Sequence, residues 1–166
     1  MQVSKARLKG VKLIFLDVFE DHRGRYLELF NERWFIENVA DISFVQDDGS
    51  ISRKNVLRGI HGDNETYKLI SCLYGAIYLV IVDVQEQLWQ SFTLNGDGGQ
   101  QVLVPPGDGV AHLVLSDWAV FHYKQSTYYH PEKQFTYRYD DSRFGIWWPT
   151  DNPILSERDK GGKNVS

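Results

Sequence analysis

The chain has 166 residues, a net charge of −4 and one cysteine, which is enough for a single domain over residues 1–166 with its own core. No basic block could follow a phosphate backbone, so a nucleic-acid polymer is excluded as an expected partner. The lone Cys72 excludes an internal disulfide framework, and the lack of an apolar signal region or membrane-length run predicts a cytoplasmic protein without membrane association.

Strands dominate the pattern along the chain, in keeping with an aromatic content of 14%, because aromatic side chains pack well on pleated sheets. The N-terminal part predicts strands over 11–19 and 26–30, then one short helix over 32–37 that Asn31 caps. From residue 43, turn residues separate nine further predicted strands: 43–46, 57–61, 67–73, 76–84, 89–94, 101–104, 111–115, 119–124 and 135–139. This succession predicts an all-β sandwich or barrel. Residues 151–159 are predicted to be an extended segment, and about 160–166 a disordered tail.

Charged residues interrupt the apolar run that begins at Asn55. Arg58, His61 and Asp63 lie within or beside a predicted strand, and Lys68 opens the next one. Buried charge is costly unless it is paired or used. If the strand lines a cavity, these side chains can point at one ligand, so we expect this stretch to form the floor of an active site.

The candidate chemistry involves two of the five histidines and one tyrosine. His61 and His112 lie in apolar, glycine-flanked runs, whereas His22 and His130 lie in polar turns. Strand alternation predicts that Tyr123 faces inward together with Phe121, and that His122 and Lys124 face outward.

Two mechanisms fit these residues. In the first, His61, His112 and Asp63 bind iron or zinc. In the second, a histidine base and a tyrosine acid act without metal, and cationic groups stabilise an oxyanion. The second is favoured because no His-x-His pair occurs and a nearby lysine and arginine would repel a divalent cation. We therefore expect neither a metal nor another cofactor.

Several separated motifs then identify a resemblance over nearly the whole chain. They are Asp21-x-Arg23-Gly24 with Glu28, Phe44-Val45-Gln46-Asp47, Ser50-x-Ser52-x-x-Asn55-Val56-Leu57-Arg58-Gly59-Ile60-His61, Lys68-Leu69, Val104-Pro105-x-Gly107-x-x-x-Ala111-His112, Tyr123-Lys124, Tyr128-Tyr129-x-Pro131, Gly145-Ile146-x-Trp148-Pro149 and Leu155-Ser156-x-x-Asp159. In order and spacing they resemble the dTDP-4-dehydrorhamnose 3,5-epimerase family. The resemblance implies a cupin-type double-stranded β-helix, or jelly roll, that acts on a nucleotide sugar.

The resemblance also implies a role for each matching position. His61 would be the base and Asp159 the carboxylate that orients it, Tyr123 the acid on the opposite face, and Lys68 the cation at the enolate oxygen. The implied substrate-binding residues are Arg23, Glu28, Gln46, Asp48, Arg58, Asp63, His112 and Tyr129. Members of the family are dimers with exchanged N-terminal strands, so Arg23 and Glu28 are expected to serve the neighbouring subunit.

The chain departs from the common family pattern around the ligand. Gly62-Asp63 follow the histidine in place of an aromatic residue and a glutamine, Asp48 takes a position often held by asparagine, and Leu113 follows His112. With Gln134-Phe135-Thr136, this form resembles the branch acting on GDP-4-keto-6-deoxy-heptose for surface (capsular) polysaccharide, with a dTDP-linked 4-keto-6-deoxy-hexose as the other substrate considered. A 3,4-ketoisomerase and a non-catalytic nucleotide-sugar-binding cupin are the alternatives to an epimerase.

Overall fold

The computed structural model of the protein describes residues 1–161. Its strands are β1 (Gln2–Lys5), β2 (Lys12–Phe15), β3 (Val18–Asp21), β4 (Gly24–Leu27), β5 (Gln46–Arg53), β6 (Leu57–Gly62), β7 (Lys68–Tyr74), β8 (Ala76–Asp83), β9 (Leu88–Asn95), β10 (Gln100–Val104), β11 (Asp108–Val114), β12 (Trp118–Gln125) and β13 (Phe135–Thr136). The helices are α1 (Glu32–Asn38), α2 (Glu157–Lys160) and a 3-10 turn at Pro131–Lys133. The all-β prediction is confirmed.

Two antiparallel sheets make up the body of the protein. The first has the strand order β1-β2-β10-β7-β12-β5, and the second has the order β13-β6-β11-β8-β9. The hairpin of β3 and β4 pairs only with itself among the described residues. Ile70 and Val102 of the first sheet share one buried cluster with Leu79 and Val114 of the second. The sheets therefore pack face to face, as in a jelly roll.

The outer face of each sheet is covered by a different part of the chain. Phe35 of α1 packs on Leu69 and Leu103 of the first sheet. The helix begins where the Asn31 side chain accepts a hydrogen bond from the Trp34 amide, as the sequence predicted. The C-terminal segment covers the second sheet through a cluster that includes Phe144 and Leu57. The apolar core between the sheets borders the cavity, because Ile70, Val110 and Phe121 belong to both.

Five local predictions are wrong. The strand expected over 26–30 lies instead at Gly24–Leu27. The strand expected over 11–19 is broken into β2 and β3, and β1 pairs with β2 although its own sequence is mostly polar. The strand expected over 43–46 begins at Gln46 and continues through polar residues, because its eight residues pair with β12. The strand expected over 135–139 is reduced to Phe135–Thr136, after which only Tyr137 still exchanges backbone hydrogen bonds with Ile60. The segment expected to be extended up to residue 159 ends in helix α2, which Ser156 caps.

The described part of the chain ends just after helix α2. Lys160 ends α2, so it does not belong to a disordered tail, and residues 162–166 of that predicted tail lie outside the described residues. Within residues 1–161, no helix is both long enough and apolar enough to cross a bilayer.

Candidate active site

A cavity of about 330 Å³ opens between the two sheets. Its walls come from both sheets, from the loop after β12 and from α2. The lining residues are Asp48, Gly49, Ser50, Arg58, His61, Lys68, Ile70, Val110, His112, Phe121, Tyr123, Gln125, Tyr129, Gln134, Ser156, Arg158 and Asp159. Most of these side chains are polar or charged, which is unusual for the interior of a β-sandwich and indicates a ligand site.

A bulge in β6 brings Arg58 and His61 to the same cavity. Residues three apart on a regular strand face opposite sides of the sheet. Here the pairing of β6 with β11 changes register between Val110 and His112, next to Gly59. Gly59 has φ +116°, and a Cβ there would lie 2.4 Å from the Val110 carbonyl oxygen. Only glycine fits this position, and the irregularity it permits turns both side chains toward the cavity.

His61 is held by a buried carboxylate. Its Nε2 lies 2.7 Å from Asp159 Oδ1, and Asp159 is only 3% exposed. The Ser156 hydroxyl donates to Asp159 Oδ2 at 2.7 Å, and the Gly59 amide donates to Oδ1 at 3.4 Å. Burial alone would raise the pKa of Asp159, but the hydrogen bonds from His61 and Ser156 lower it below its usual value. The carboxylate therefore stays ionised and fixes the imidazole, which leaves Nδ1 for a ligand.

Tyr123 approaches the cavity from the other sheet. It lies on β12 beside Phe121, and the two rings are in contact with centroids 5.4 Å apart. Burial, and next the charge of Asp48, raise the pKa of Tyr123 to about 12. The phenol thus keeps its proton at neutral pH and can donate it. His122 and Lys124 of the same strand lie instead near Asp47, outside the cavity, as alternation predicted.

Lys68 is the buried cation of the cavity. Its side chain is 11% exposed, and its Nζ lies 3.8 Å from Asp63 Oδ2. Burial lowers the pKa of Lys68, and the charge of Asp63 opposes that shift. An ammonium in this setting can stabilise a negative oxygen on a bound ligand.

Arg58 and His112 complete the polar floor. The Arg58 guanidinium donates to Ser52 Oγ at 3.1 and 3.2 Å. The His112 ring stacks on Phe121 at 3.9 Å, and its buried Nε2 has no hydrogen-bond partner within the described residues. Burial, and next the charge of Arg58, lower the pKa of His112 to about 3, so this imidazole is neutral. It can give or accept a ligand hydrogen bond without carrying charge.

The structure brings together eight of the twelve residues predicted for the site. His61, Tyr123, Asp159, Lys68, Asp48, Arg58, His112 and Tyr129 line the cavity. Two others lie directly behind it. Gln46 donates to Asp48 Oδ2 and accepts from the Tyr129 amide, and Asp63 lies 3.8 Å from Lys68 and is 3% exposed. Neither lines the cavity, and the substrate contact expected of each stays a prediction.

The remaining two predicted residues do not line the cavity of this chain. Arg23 is in the exposed turn of the β3–β4 hairpin, where its Nε donates to Asp21 Oδ1 and its Nη2 donates to Asp21 Oδ2. Glu28 accepts hydrogen bonds from Asn31 at the start of α1. Their expected service to a neighbouring subunit stays a prediction.

Sequence reasoning missed several lining residues, among them Ser50, Gln125, Gln134, Ser156 and Arg158. Ser50 and Ser156 belong to motifs quoted above, so their position in those motifs was a usable signal. Arg158 was not foreseen because the helix that carries it was not predicted. Its guanidinium is held at the cavity by Thr136 Oγ1 at 2.8 and 3.0 Å.

The three residues of the metal hypothesis do not converge. His61 pairs with Asp159, while Asp63 accepts hydrogen bonds from the Glu65 and Thr66 amides and from Gln134. Across residues 1–161, no group of three His, Cys, Asp or Glu side chains has the geometry of a metal site. The donor set therefore does not fit an iron or zinc ion.

Several known proteins are similar to this chain along most of its length. The family model described as dTDP-4-dehydrorhamnose 3,5-epimerase matches residues 5–166. The enzyme of that name from Escherichia coli K12 is 39% identical over 96% of this chain and 92% of its own length. The one from Neisseria gonorrhoeae is 37% identical over 98% of this chain, which spans about half (52%) of that longer protein.

Solved structures give the same result. The dTDP-6-deoxy-D-glucose-3,5-epimerase of Legionella pneumophila, in complex with dTDP-4-keto-L-rhamnose, has a TM-score of 0.91 at 32% identity and covers 97% of this chain and 90% of its own. The Bacillus anthracis dTDP-4-dehydrorhamnose 3,5-epimerase, with TDP and pyrophosphate bound, has a TM-score of 0.91 at 30% identity, over 99% of this chain and all of its own. The predicted jelly roll is thereby confirmed. The chain belongs to the dTDP-4-dehydrorhamnose 3,5-epimerase family and is a nucleotide-sugar 3,5-epimerase, as its motifs predicted.

Proposed function

We propose that the protein inverts C3, C5 or both in a nucleotide-linked 4-keto-6-deoxy sugar through an enolate, for surface polysaccharide biosynthesis. One observation carries the proposal. His61 of the second sheet and Tyr123 of the first line one cavity, and the buried ammonium of Lys68 lines it as well. Inversion next to a ketone needs a base and an acid on opposite faces of the ring, together with positive charge at the oxygen.

In the proposed mechanism, His61 Nδ1 removes the proton from the carbon beside the ketone. The C–H electron pair becomes the C=C bond of the enolate, and the carbonyl pair moves onto oxygen beside Lys68. Asp159 stabilises the imidazolium that forms. Tyr123 then donates its proton to the opposite face of the same carbon, and solvent returns both groups to their starting states.

Specificity for the sugar is proposed to involve Asp48. Its Oδ2 already accepts from Gln46 at 2.8 Å and from Gln125 at 2.5 Å, and within the described residues Oδ1 has no hydrogen bond. A free carboxylate oxygen at the cavity wall suits a sugar hydroxyl. A 6-deoxy-heptose ends in a hydroxymethyl group where a 6-deoxy-hexose has only a methyl group. We therefore propose GDP-4-keto-6-deoxy-heptose as the substrate, with the dTDP-linked hexose named by the relatives as the alternative.

The test is to incubate the purified protein with each of the two nucleotide sugars and to follow inversion at C3 and C5 by proton NMR. We expect turnover of the GDP-linked heptose at the higher kcat/KM. The variant Asp48→Asn should lower the ratio of kcat/KM for the heptose to kcat/KM for the hexose by about tenfold. The reason is that a hydrogen bond to a charged group contributes about 1.5–3 kcal/mol. Inversion of neither sugar would refute the reaction, and a higher kcat/KM for the dTDP-linked hexose would refute the substrate.

The proposed assembly is a homodimer in which the β3–β4 hairpin crosses to the neighbouring subunit. Phe19 and Tyr26 on this hairpin are 62% and 69% exposed, more than a free monomer would favour for adjacent aromatic rings. If Arg23 serves the partner's cavity, mixing inactive Arg23→Ala and His61→Asn chains should restore about a quarter of the wild-type activity, because half the dimers are mixed and each has one intact site. No restoration, with both parents inactive, would contradict this arrangement.

A further inference from the structure

The loop between β6 and β7 contains a buried carboxylate whose two oxygens both accept hydrogen bonds from neighbouring residues. Asp63 is 3% exposed. Its Oδ1 accepts from the amides of Glu65 at 2.9 Å and Thr66 at 2.7 Å, and its Oδ2 accepts from Gln134 Nε2 at 3.0 Å. These contacts fix the side chain in one orientation.

A cation of the active site lies close to this carboxylate. Lys68 Nζ lies 3.8 Å from Asp63 Oδ2, on the cavity side of it. Burial alone would raise the pKa of Asp63, but its hydrogen bonds and the charge of Lys68 lower the pKa overall. The ionised form of Asp63 is therefore favoured. The charge of Asp63 raises the pKa of Lys68, whereas the charge of Arg158 lowers it. The other ionisable side chains lining the same cavity are Asp48, Arg58, His61, His112, Tyr123, Tyr129 and Asp159.

We propose that Asp63 is a positioning residue, a fixed counter-ion that holds the Lys68 side chain in place and keeps it charged. A buried amine without such a partner tends to lose its proton, because burial disfavours the charged form. A neutral amine could not stabilise an enolate oxygen as well as an ammonium does. This inference rests on the role proposed above for Lys68. It replaces the substrate contact that the sequence predicted for Asp63.

The test variant is Asp63→Asn, which keeps an oxygen to accept the Glu65 and Thr66 amides while it removes the charge. Asp83→Asn is the matched control, because Asp83 Oδ1 accepts from the amides of Gln85 and Glu86 in a turn of the same kind. If Asp63→Asn does not fold by circular dichroism, Asp63→Ser is the second neutral variant, since a serine hydroxyl can also accept turn amides.

The direct measurement is the titration of Lys68 in protein labelled with 13C at lysine Cε, with the signal assigned by its loss in Lys68→Met. We expect the midpoint to fall by about one to three pH units in Asp63→Asn. This is the effect of removing a charge 3.8 Å away, at an effective dielectric constant between those of water and the protein interior. Asp83→Asn should leave the midpoint unchanged. An unchanged midpoint in the folded neutral Asp63 variant would overturn the inference.

The pH profile of kcat separates this inference from the proposed function. If Lys68 must be charged, activity is lost as pH rises through the Lys68 pKa, and this alkaline limb should move to lower pH in Asp63→Asn together with the NMR midpoint. A loss of kcat by the same factor at every pH, together with an unchanged NMR midpoint, would indicate a merely structural role and would count against the counter-ion. A shifted NMR midpoint with an unshifted limb would support the counter-ion and refute the charge requirement for Lys68.

Discussion

The charge of the Asp159 carboxylate is predicted to assist proton removal by His61, and its removal tests this directly. In Asp159→Asn the side chain keeps its shape and an oxygen acceptor but loses its charge. His61 Nε2 then faces a neutral amide in place of a carboxylate at 2.7 Å. The imidazolium that forms during proton removal loses its buried counter-ion. The variant should therefore act on the transition state more than on binding.

The magnitude follows from that one contact. A hydrogen bond to a charged group contributes about 1.5–3 kcal/mol, and each 1.36 kcal/mol in the barrier changes the rate tenfold. We expect kcat to fall by about 10- to 100-fold, with KM changed by less than about threefold. Ser156→Ala is the milder comparison, because it removes one donor to Asp159 Oδ2 and leaves the charge. Its kcat should fall by less than about tenfold.

The assay is the initial rate of inversion followed by proton NMR, with circular dichroism to establish that each variant folds. If folded Asp159→Asn kept kcat within about twofold of the wild type, the carboxylate would not assist His61. If Ser156→Ala were the more damaging change, the effect would lie in the Ser156 cap of α2 and not in the charge of Asp159.

Three further outcomes are expected. Tyr123→Phe should still permit exchange of the substrate proton with solvent but should slow inversion by at least about tenfold, since only the acid is lost; equal loss of both reactions by NMR would contradict the assigned role. Asp108→Asn should raise the free energy of unfolding by about 1–2 kcal/mol above pH 7. This value is reduced because Asp108 is partly exposed, and the gain in stability should disappear below pH 4. The reason is that burial, and next Asp83, raise the pKa of Asp108 to about 7, so its ionised form opposes folding at high pH; urea titrations at pH 4 and 8 decide this. Gly59→Ala should destabilise the fold by about 2 kcal/mol or more because φ is +116° and the added Cβ meets backbone; an unchanged melting temperature would contradict it.

The sequence revealed most of the chemistry because charged residues stood out in apolar strands. Arg58, His61 and Lys68 have no packing reason to lie there, and all three line the cavity. Asp63 stood out for the same reason but proved to face Lys68 from behind. A charge pattern can indicate that a residue is used without showing whether it contacts the ligand or another side chain.

The parts of the fold that local pattern could not reveal depend on pairing and on long-range contacts. Strand β5 is mostly polar and exists because it pairs with β12 along its whole length. Helix α2 has only four residues, too few for a periodic signal, and it is held by the Ser156 cap and by the contact of Asp159 with His61. The β6 bulge at Gly59 is likewise visible only in its register with β11.

The central claim is that His61 and Tyr123 act on opposite faces of one sugar ring. The most direct measurement is deuterium incorporation at C3 and C5 of the 4-keto sugar in deuterated water, compared among wild type, His61→Asn and Tyr123→Phe. The account predicts label with inversion in the wild type, no label in His61→Asn, and label with little inversion in Tyr123→Phe. Wild-type label in folded His61→Asn, or full inversion in Tyr123→Phe, would contradict it.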